Sequence, residues 1–134
     1  MMNRIELTFD YLPDSGLSAN GRRRMLHWVE SKRVRNAKTD FTFLLRDAWQ
    51  RTYPQTPLEA RKMARCRLEW RLTYPTRRRR DIDNIASSLK PWQDCLVDEG
   101  LIEADDSEHI VGVAVTLGVE KGIERTVLAI EEVE

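Results

Sequence analysis

The chain has 134 residues, of which 41% are hydrophobic and 33% are charged, and its formal net charge is zero. This length fits one domain, residues 1–134, with a single core, and it excludes a two-domain architecture. No stretch has the length and apolarity of a signal peptide or a membrane span, so we expect a cytoplasmic protein with no membrane partner.

The first predicted elements are a strand and a long helical region. Residues 3–9 alternate apolar and polar side chains, which is typical of a half-buried strand, and a loop is expected at 17–21. Apolar residues then recur at helical spacing from residue 22 to about residue 53. We expect one or two helices there, with a possible break at 36–40.

The next two elements are a strand and a helix. Residues 64–74 alternate strictly between apolar and polar side chains and predict the clearest strand in the chain. Residues 85–99 have helical periodicity, and Gly100 suits the C-terminal cap of that helix. Pro91 lies inside the periodic stretch, so we expect a kink in the preceding turn.

Two further strands are predicted in the last quarter of the chain. Residues 110–117 alternate weakly, and residues 126–133 form a second β-rich run after a glycine-containing turn, which predicts a hairpin. The complete order is β, α (one or two), β, α, β, β. This order favours an α+β fold around one mixed sheet.

Charge is distributed unevenly along the chain. Residues 1–80 carry 19 Lys and Arg against 8 Asp and Glu, whereas residues 81–134 carry 3 against 14. A basic half suits a polyanion, whose phosphates release counterions on binding, and the acidic half could supply metal ligands. The alternative is that the two halves complement each other across one fold.

Few residues are available for sites built from cysteine or histidine. Cys66 and Cys95 stand far apart without zinc-ligand spacing, so we expect reduced, structural thiols. His27 and His109 are the only histidines, which leaves little material for a histidine-rich metal site or a Ser-His-Asp triad. Any metal site must therefore be built from carboxylates, and no nucleotide cofactor is expected.

The sharpest local signal is a run of four arginines, residues 77–80, that leads directly into Asp81-Ile82-Asp83-Asn84. Residues two apart in an extended segment point to the same side, so Asp81 and Asp83 can converge on one cation. Mg²⁺ prefers hard oxygen ligands and keeps several waters, which leaves room for a phosphate oxygen. The alternative is that one of these aspartates is only the N-cap of the following helix.

The helix after this segment carries further polar residues at regular spacing. In a continuous helix, Asp83, Ser87, Lys90 and Asp94 lie on one face, opposite the apolar residues. Lys90 can then point toward the carboxylates and contact the scissile phosphate or stabilise its charge. A solvated helix face would look similar.

Asp105 and Asp106 lie on a short loop before a predicted strand, where acidic pairs are often only turn formers. Together with the preceding motifs, however, they complete an ordered pattern that resembles the RusA-like Holliday-junction resolvases of phages and prophages. The matching positions are Asp81-x-Asp83-Asn84, Lys90-x-x-x-Asp94-x-Leu96, Gly100 and Asp105-Asp106-Ser107. The opening of the chain is also similar, with Leu17-Ser18-Ala19-Asn20 followed by a basic helix that contains His27-Trp28.

This resemblance implies a homodimeric, Mg²⁺-dependent endonuclease on an α+β fold, which acts on branched DNA and for which Mn²⁺ is a possible substitute. It further implies that Asp81, Asp83 and Asp106 are the metal ligands and that Lys90 is a catalytic or DNA-contacting lysine. The positions with supporting roles would be Asn84, Asp94 and Asp105. Lys90 lies three residues farther from the asparagine than in the family pattern, which is nearly one helical turn.

The basic residues are candidates for contacts with backbone phosphates, which would position DNA without reading its bases. They come from the arginine run and from the polar face of the strand at 64–74: Arg77, Arg78, Arg79, Arg80, Arg67 and Arg71. Asn20, a neutral residue of the first loop, is a further candidate for a DNA contact. On apolar faces, the tryptophans are expected in the core more often than at an interface or stacked on bases: Trp28, Trp49, Trp70 and Trp92.

Two other functions are compatible with the same residues. One is a DNA-binding module without catalytic activity, in which the aspartates only cap a helix and form a turn. The other is a nuclease that acts on flaps or forks and not on four-way junctions.

Overall fold

Four strands form one mixed sheet in the computed structural model, which describes residues 3–134. The elements are β1 (Arg4–Phe9), α1 (Ala19–Arg23), α2 (His27–Thr52), β2 (Cys66–Tyr74), α3 (Ile82–Ala86), α4 (Lys90–Asp98), β3 (Ile110–Val119) and β4 (Arg125–Glu132). The α+β class and the predicted order of elements are confirmed. In the described part of the chain, no helix is both long and apolar enough to cross a membrane.

The sheet has the order β1-β4-β2-β3, in which β2 pairs with β4 antiparallel and with β3 parallel. The predicted hairpin between the last two strands is therefore wrong, because β2 lies between them. The connection at 120–124 passes the end of β2, where the backbone N–H of Glu120 donates to the carbonyl of Tyr74 at 3.0 Å. Alternation of side chains indicates which face of a strand is buried, but it carries no information about the neighbouring strand.

An aromatic cluster joins the sheet to the helices that cover it. Phe41 of α2 stacks on Trp92 of α4, with ring centroids 4.4 Å apart and planes inclined by 14°. Phe9 of β1 lies 5.1 Å from Phe41, and Trp70 of β2 lies 6.3 Å from it. All four rings are buried, so they supply a large share of the apolar surface removed from water.

The N-terminal helical region differs from the prediction at its start. Residues 19–21, expected within a loop, belong to the short helix α1, whose N-cap Ser18 accepts a hydrogen bond at Oγ from the N–H of Gly21 at 3.2 Å. The helix α2 then runs without interruption, so the possible break at 36–40 does not occur. The helical region is interrupted instead at residues 24–26.

The predicted helix at 85–99 is divided in two. The helix α3 ends at Ala86, a 3₁₀ turn occupies Ser87–Leu89, and α4 begins at Lys90. Pro91 lies in the first turn of α4, where backbone N–H groups have no intrahelical acceptor. The proline therefore removes no helical hydrogen bond, and it starts a new helix without kinking a longer one. Gly100, with φ of 86°, follows the C-cap of α4, as expected.

Both cysteines are free and buried, as expected. Burial, together with the charge of Glu132, raises the pKa of Cys66 to about 11, and burial also raises the pKa of Cys95. The thiolate is the reactive form of cysteine, so these side chains are packing groups.

We predict that Phe41→Ala lowers the free energy of unfolding by about 3–5 kcal/mol, because it removes the ring that contacts the other three aromatic side chains. The matched control is Phe43→Ala on the same helix, since Phe43 is 65% exposed and its loss should change stability by less than about 0.5 kcal/mol. Urea denaturation followed by fluorescence measures both. Equal losses in the two variants would contradict the proposed core.

Candidate nucleic-acid interface and acidic site

An open cleft of about 600 Å³ lies at the C-terminal end of β2. One wall comes from the loop after β1 and includes Ser15 and Ser18, and the other comes from the residues that follow β2, including Arg78, Asp81 and Asn84. These two walls are far apart in the sequence. The fold therefore brings the loop after β1 close to the arginine run at 77–80 and to the segment Asp81-Ile82-Asp83-Asn84.

Hydrogen bonds connect the two walls directly. The backbone N–H of Asn20 donates to Oδ1 of Asn84 at 2.7 Å, and Oγ of Ser87 lies 3.4 Å from the carbonyl oxygen of Leu17. The sequence predicted site roles for both Asn20 and Asn84, but nothing in their local patterns indicated that the two residues contact each other. The carbonyl of the Asn84 side chain is thus engaged in holding α1 against α3.

Asp81 is the N-cap of α3, which confirms the capping interpretation for this residue. Its Oδ1 accepts hydrogen bonds from the N–H groups of Asp83 at 3.0 Å and Asn84 at 3.4 Å. A carboxylate accepts about four hydrogen bonds, so capping leaves acceptor capacity on Asp81. The carboxylate of Asp83 is exposed and has no hydrogen bond or ion pair with any residue from 3 to 134.

Asp106 stabilises the turn before β3. Its Oδ1 accepts hydrogen bonds from the N–H groups of Glu108 at 3.0 Å and His109 at 3.1 Å, and it lies 2.6 Å from Nδ1 of His109. The side-chain hydrogen bond between them lowers the pKa of Asp106 and raises the pKa of His109. The sequence assigned no role to His109. The i, i+3 spacing was the only signal for this contact.

Lys90 links α4 to the acidic loop that follows it. Its Nζ lies 2.6 Å from Oδ2 of Asp105 and 2.9 Å from Oδ1 of Asp94, which also forms an ion pair with Lys38 at 3.5 Å. The hydrogen bonds that Lys90 donates to Asp105 and Asp94 raise the pKa of Lys90, and the bond to Asp105 lowers the pKa of that carboxyl. Lys90 is therefore a protonated side chain held between two carboxylates.

The continuous helix face expected to carry Asp83, Lys90 and Asp94 does not form, because the 3₁₀ turn at Ser87–Leu89 separates α3 from α4. A 3₁₀ turn rotates the chain by about 120° per residue, compared with about 100° in an α-helix, so the face drifts over these three residues. Lys90 lies three residues farther from Asn84 than the lysine of the family pattern does, and this 3₁₀ turn is also three residues long. Lys90 and Asp94 still share a face within α4.

The carboxylates fit a divalent cation in their chemistry but only partly in their arrangement. Among residues 3–134, no group of three or more Asp, Glu, His or Cys side chains is placed so that it could hold a metal ion. The three-carboxylate set implied by the resemblance is thus not assembled in this arrangement. Asp81, the N-cap of α3, and Asp83, in its first turn, offer oxygen donors of the kind that suits Mg²⁺, which often binds through one or two carboxylates and keeps waters. A ligand role for Asp106 stays a prediction.

The arginine run presents exposed positive charge beside these carboxylates. Arg77, Arg78 and Arg79 are exposed, and none of them has an acidic partner within residues 3–134. Arg80 differs, since its guanidinium lies 3.9 Å from the centroid of the Tyr74 ring and its Nη1 donates to the carbonyl of Arg78 at 3.3 Å. The first three are therefore the arginines available to a phosphate.

The arginines on the outer face of the sheet are less available. Arg71 forms ion pairs with Glu6 at 3.1 Å and with Glu69 at 3.2 Å. Arg67 is exposed and has no ion pair within residues 3–134. Of the two DNA contacts predicted on β2, Arg67 is the one whose charge is not already balanced.

The basic and acidic halves of the chain meet in few ion pairs. Such pairs include Arg4–Glu131 at 3.7 Å, Lys38–Asp94 at 3.5 Å and Arg46–Glu99 at 2.6 Å. None of them involves the arginine run. Mutual neutralisation of the two halves therefore does not account for the most basic segment.

The corner between α1 and α2 exposes an aromatic side chain that was expected in the core. Trp28 is 67% exposed and Leu26 is 66% exposed, whereas the other three tryptophans are buried. Arg23 and Arg24 are exposed in the adjoining turn. A flat apolar ring beside free cations is the combination that stacks on unpaired bases.

No protein-family profile matches the chain, and no curated protein matches it significantly.

The loop that forms one wall of the cleft is anchored by Asp14. Nε of Arg33 donates to its Oδ2 at 2.9 Å, a second guanidinium nitrogen donates to Oδ1, and the N–H of Gly16 donates to Oδ1 at 2.9 Å. Burial raises the pKa of Asp14, but the hydrogen bonds from Arg33 and Gly16 outweigh it and hold the pKa below its usual value. This anchor fixes the loop to α2.

We predict that Asp14→Asn destabilises the protein at pH 7 by on the order of 1 kcal/mol after solvent screening. Because the pKa is lowered in the folded state, the contribution of Asp14 is present above about pH 4 and is lost as pH falls through the folded pKa. Urea denaturation at pH 7 and pH 3 should therefore show a smaller difference from the parent at pH 3 than at pH 7. The control is Asp10→Asn, and an equal loss at both pH values would contradict the assignment.

Proposed function

We propose that this protein is a Mg²⁺-dependent endonuclease that cuts branched DNA, with four-way junctions as the first substrate to test. One observation carries the proposal. Separate stretches of the sequence each match part of the resolvase pattern, and these stretches contact one another in the folded chain. Asn20 bonds to Asn84 across the cleft, and Lys90 bonds to Asp105 across the loop after α4.

The exposed cations support binding to a nucleic-acid backbone. Arg77, Arg78 and Arg79 lie at the end of β2 beside Asp81, so a phosphate held by them is brought to the carboxylates. Contacts of this kind carry no base information, and recognition of a branch would come from its shape. Trp28, beside Arg23 and Arg24, would stack on bases left unpaired at the branch.

The carboxylates of Asp81 and Asp83 would hold the divalent cation, which when bound neutralises phosphate charge and activates water. Asp83 is the better placed of the two, because its carboxylate has no competing partner among residues 3–134. Lys90 is a positioning residue in this proposal, since it holds the loop of Asp105 and Asp106 against α4. Two such sites, one on each subunit of a dimer, would make the paired nicks that resolve a junction.

A second candidate is a DNA-binding module without catalytic activity. It is favoured by the local roles of two predicted ligands, since Asp81 caps α3 and Asp106 closes a turn with His109. Both functions require the basic surface. They differ in whether Asp83, which caps nothing, is needed for a reaction.

The decisive test compares a synthetic four-way junction, a flap and a linear duplex, with and without Mg²⁺ or Mn²⁺. Asp83→Asn should reduce cleavage on the order of 100-fold or more, because a charge-stabilising group is lost, while DNA binding is kept or tightened by removal of a negative charge. The control is Asp98→Asn, an exposed aspartate at the end of α4.

Symmetric, metal-dependent nicks confined to the junction would support the proposal. Cleavage of the flap alone would move the substrate to replication or repair intermediates. Binding without cleavage by the parent protein would favour the non-catalytic module, and unchanged cleavage by Asp83→Asn would remove that residue from the mechanism.

Salt dependence tests which arginines contact phosphate. Replacing Arg77, Arg78 and Arg79 by Gln should lower the slope of log K against log salt by up to about 0.9 for each contact that is lost. Arg71→Gln should change the slope less, because Arg71 is already paired with Glu6 and Glu69. Fluorescence anisotropy over a range of salt concentrations measures both. A larger effect of Arg71 would place the DNA on the outer face of the sheet.

A further inference from the structure

The cleft at the C-terminal end of β2 has an apolar part that a phosphate site does not need. Its lining includes Leu12, Pro13, Pro75 and Ile85, together with Tyr74. Phosphates are held by cations, hydroxyls and backbone N–H groups, and apolar side chains offer them no hydrogen bonds. The cleft is therefore suited to a ligand that has an apolar face as well as a charged group.

The size of the cleft limits what can enter it. Its volume of about 600 Å³ lies within the range of pockets that enclose one small molecule. A cube of this volume has sides of about 8 Å, whereas the major groove of B-DNA is itself about 12 Å wide. One nucleotide fits this space, and an intact double helix does not.

Tyr74 and Arg80 form a flat platform in the wall of the cleft. Cζ of Arg80 lies 3.9 Å from the centroid of the Tyr74 ring, so the ring covers one face of the guanidinium. The guanidinium is also held by a hydrogen bond from its Nη1 to the carbonyl of Arg78 at 3.3 Å. Both residues of the platform line the cleft and are only partly buried. Bases of any sequence stack on aromatic rings and on guanidinium planes, so the platform suits a base.

The wall formed by the loop after β1 is fixed in place by close packing. A Cβ atom on Gly16 would overlap the guanidinium of Arg33, and a Cβ atom on Gly21 would lie 2.5 Å from the carbonyl oxygen of Gly16. The hydrogen bond from Asn20 to Asn84 ties the same wall to α3. A wall anchored on both sides does not collapse into the cleft. The space is therefore formed before a ligand enters, which lowers the cost of binding.

We propose that the cleft binds one unpaired nucleotide, whose base stacks on the platform formed by Tyr74 and Arg80. The phosphate of that nucleotide would lie at Arg78 and Arg79, which line the same cleft next to Asp81. This inference rests on the proposed function only in taking DNA as the ligand. It defines the substrate as DNA with an unpaired nucleotide at the bound position, and it gives Arg80 a base contact in place of a phosphate contact.

Binding to three duplexes of equal length, measured without Mg²⁺, tests this inference. The first duplex is fully paired, the second contains a single unpaired thymidine as a bulge, and the third contains an abasic residue in the same bulge. The thymidine bulge should bind about tenfold more tightly than the paired duplex, because its base can stack. The abasic bulge keeps the flexible backbone but lacks the base, so it should bind like the paired duplex. Fluorescence anisotropy measures all three dissociation constants.

An exchange of arginine for lysine tests the planar group separately from its charge. Arg80→Lys keeps the positive charge but removes the flat guanidinium, so the preference for the thymidine bulge should fall to about twofold or less at an unchanged salt dependence. The matched control is Arg46→Lys on α2, since Arg46 pairs with Glu99 and does not line the cleft. This control should keep the full preference.

The ring of the platform is tested by two changes at one position. Tyr74→Leu removes the ring beneath Arg80 and should abolish the preference for the bulge, whereas Tyr74→Phe keeps the ring and should retain it. Tyr74 also packs against the core, so the melting temperature of each variant is measured with its affinity. If Tyr74→Leu fails to fold, the abasic bulge and Arg80→Lys still decide the matter.

Equal affinity for the bulged and paired duplexes would overturn the inference. So would a preference that the abasic bulge or Arg80→Lys retains, since the bend of the backbone or the charge alone would then be recognised. These outcomes are distinct from a failure of the proposed nuclease. A base-dependent preference without cleavage of any substrate would support the unpaired-nucleotide site and remove the catalytic activity, whereas metal-dependent cleavage without that preference would do the reverse.

Discussion

The pairing of β2 on both of its edges is the constraint on which the rest of the structure depends. Its inner face is buried against the aromatic cluster of α2 and α4, and its edges are occupied by β3 and β4. The direction and end point of β2 are therefore fixed, and the chain leaves it at Tyr74 into the arginine run. The cleft, the cap of α3 and the contact between Asn20 and Asn84 all lie beyond that end.

Local periodicity predicted most of the elements, because burial of one face is a local property. Residues 3–9 and 64–74 were recognised as strands within about two residues of their ends. The pairing of β4 with β1 and β2 was not predicted, because partner choice depends on contacts between distant segments. The division between α3 and α4 was missed because a proline in a first turn and a proline that kinks a helix have the same local pattern.

The candidate site was predicted by residue type more than by geometry. Asp81, Asp83 and the arginine run were identified from their neighbours in the chain, and the cap formed by Asp81 was one of the alternatives weighed. The bond from Lys90 to Asp105 follows from the path of the loop after α4, which no spacing rule describes, whereas the contact between Asp106 and His109 had a local signal in their i, i+3 spacing. Spacing likewise cannot show whether separate carboxylates converge.

The proposed function depends on a divalent-cation site formed by Asp81 and Asp83 beside phosphate-binding arginines at the end of β2. Paramagnetic broadening by Mn²⁺ in ¹⁵N-labelled protein measures this most directly, because bound Mn²⁺ broadens only nearby amide signals. Signals of residues 81–84 should broaden first, and Asp83→Asn should abolish the effect. Broadening centred elsewhere, or spread evenly over the acidic surface, would contradict it.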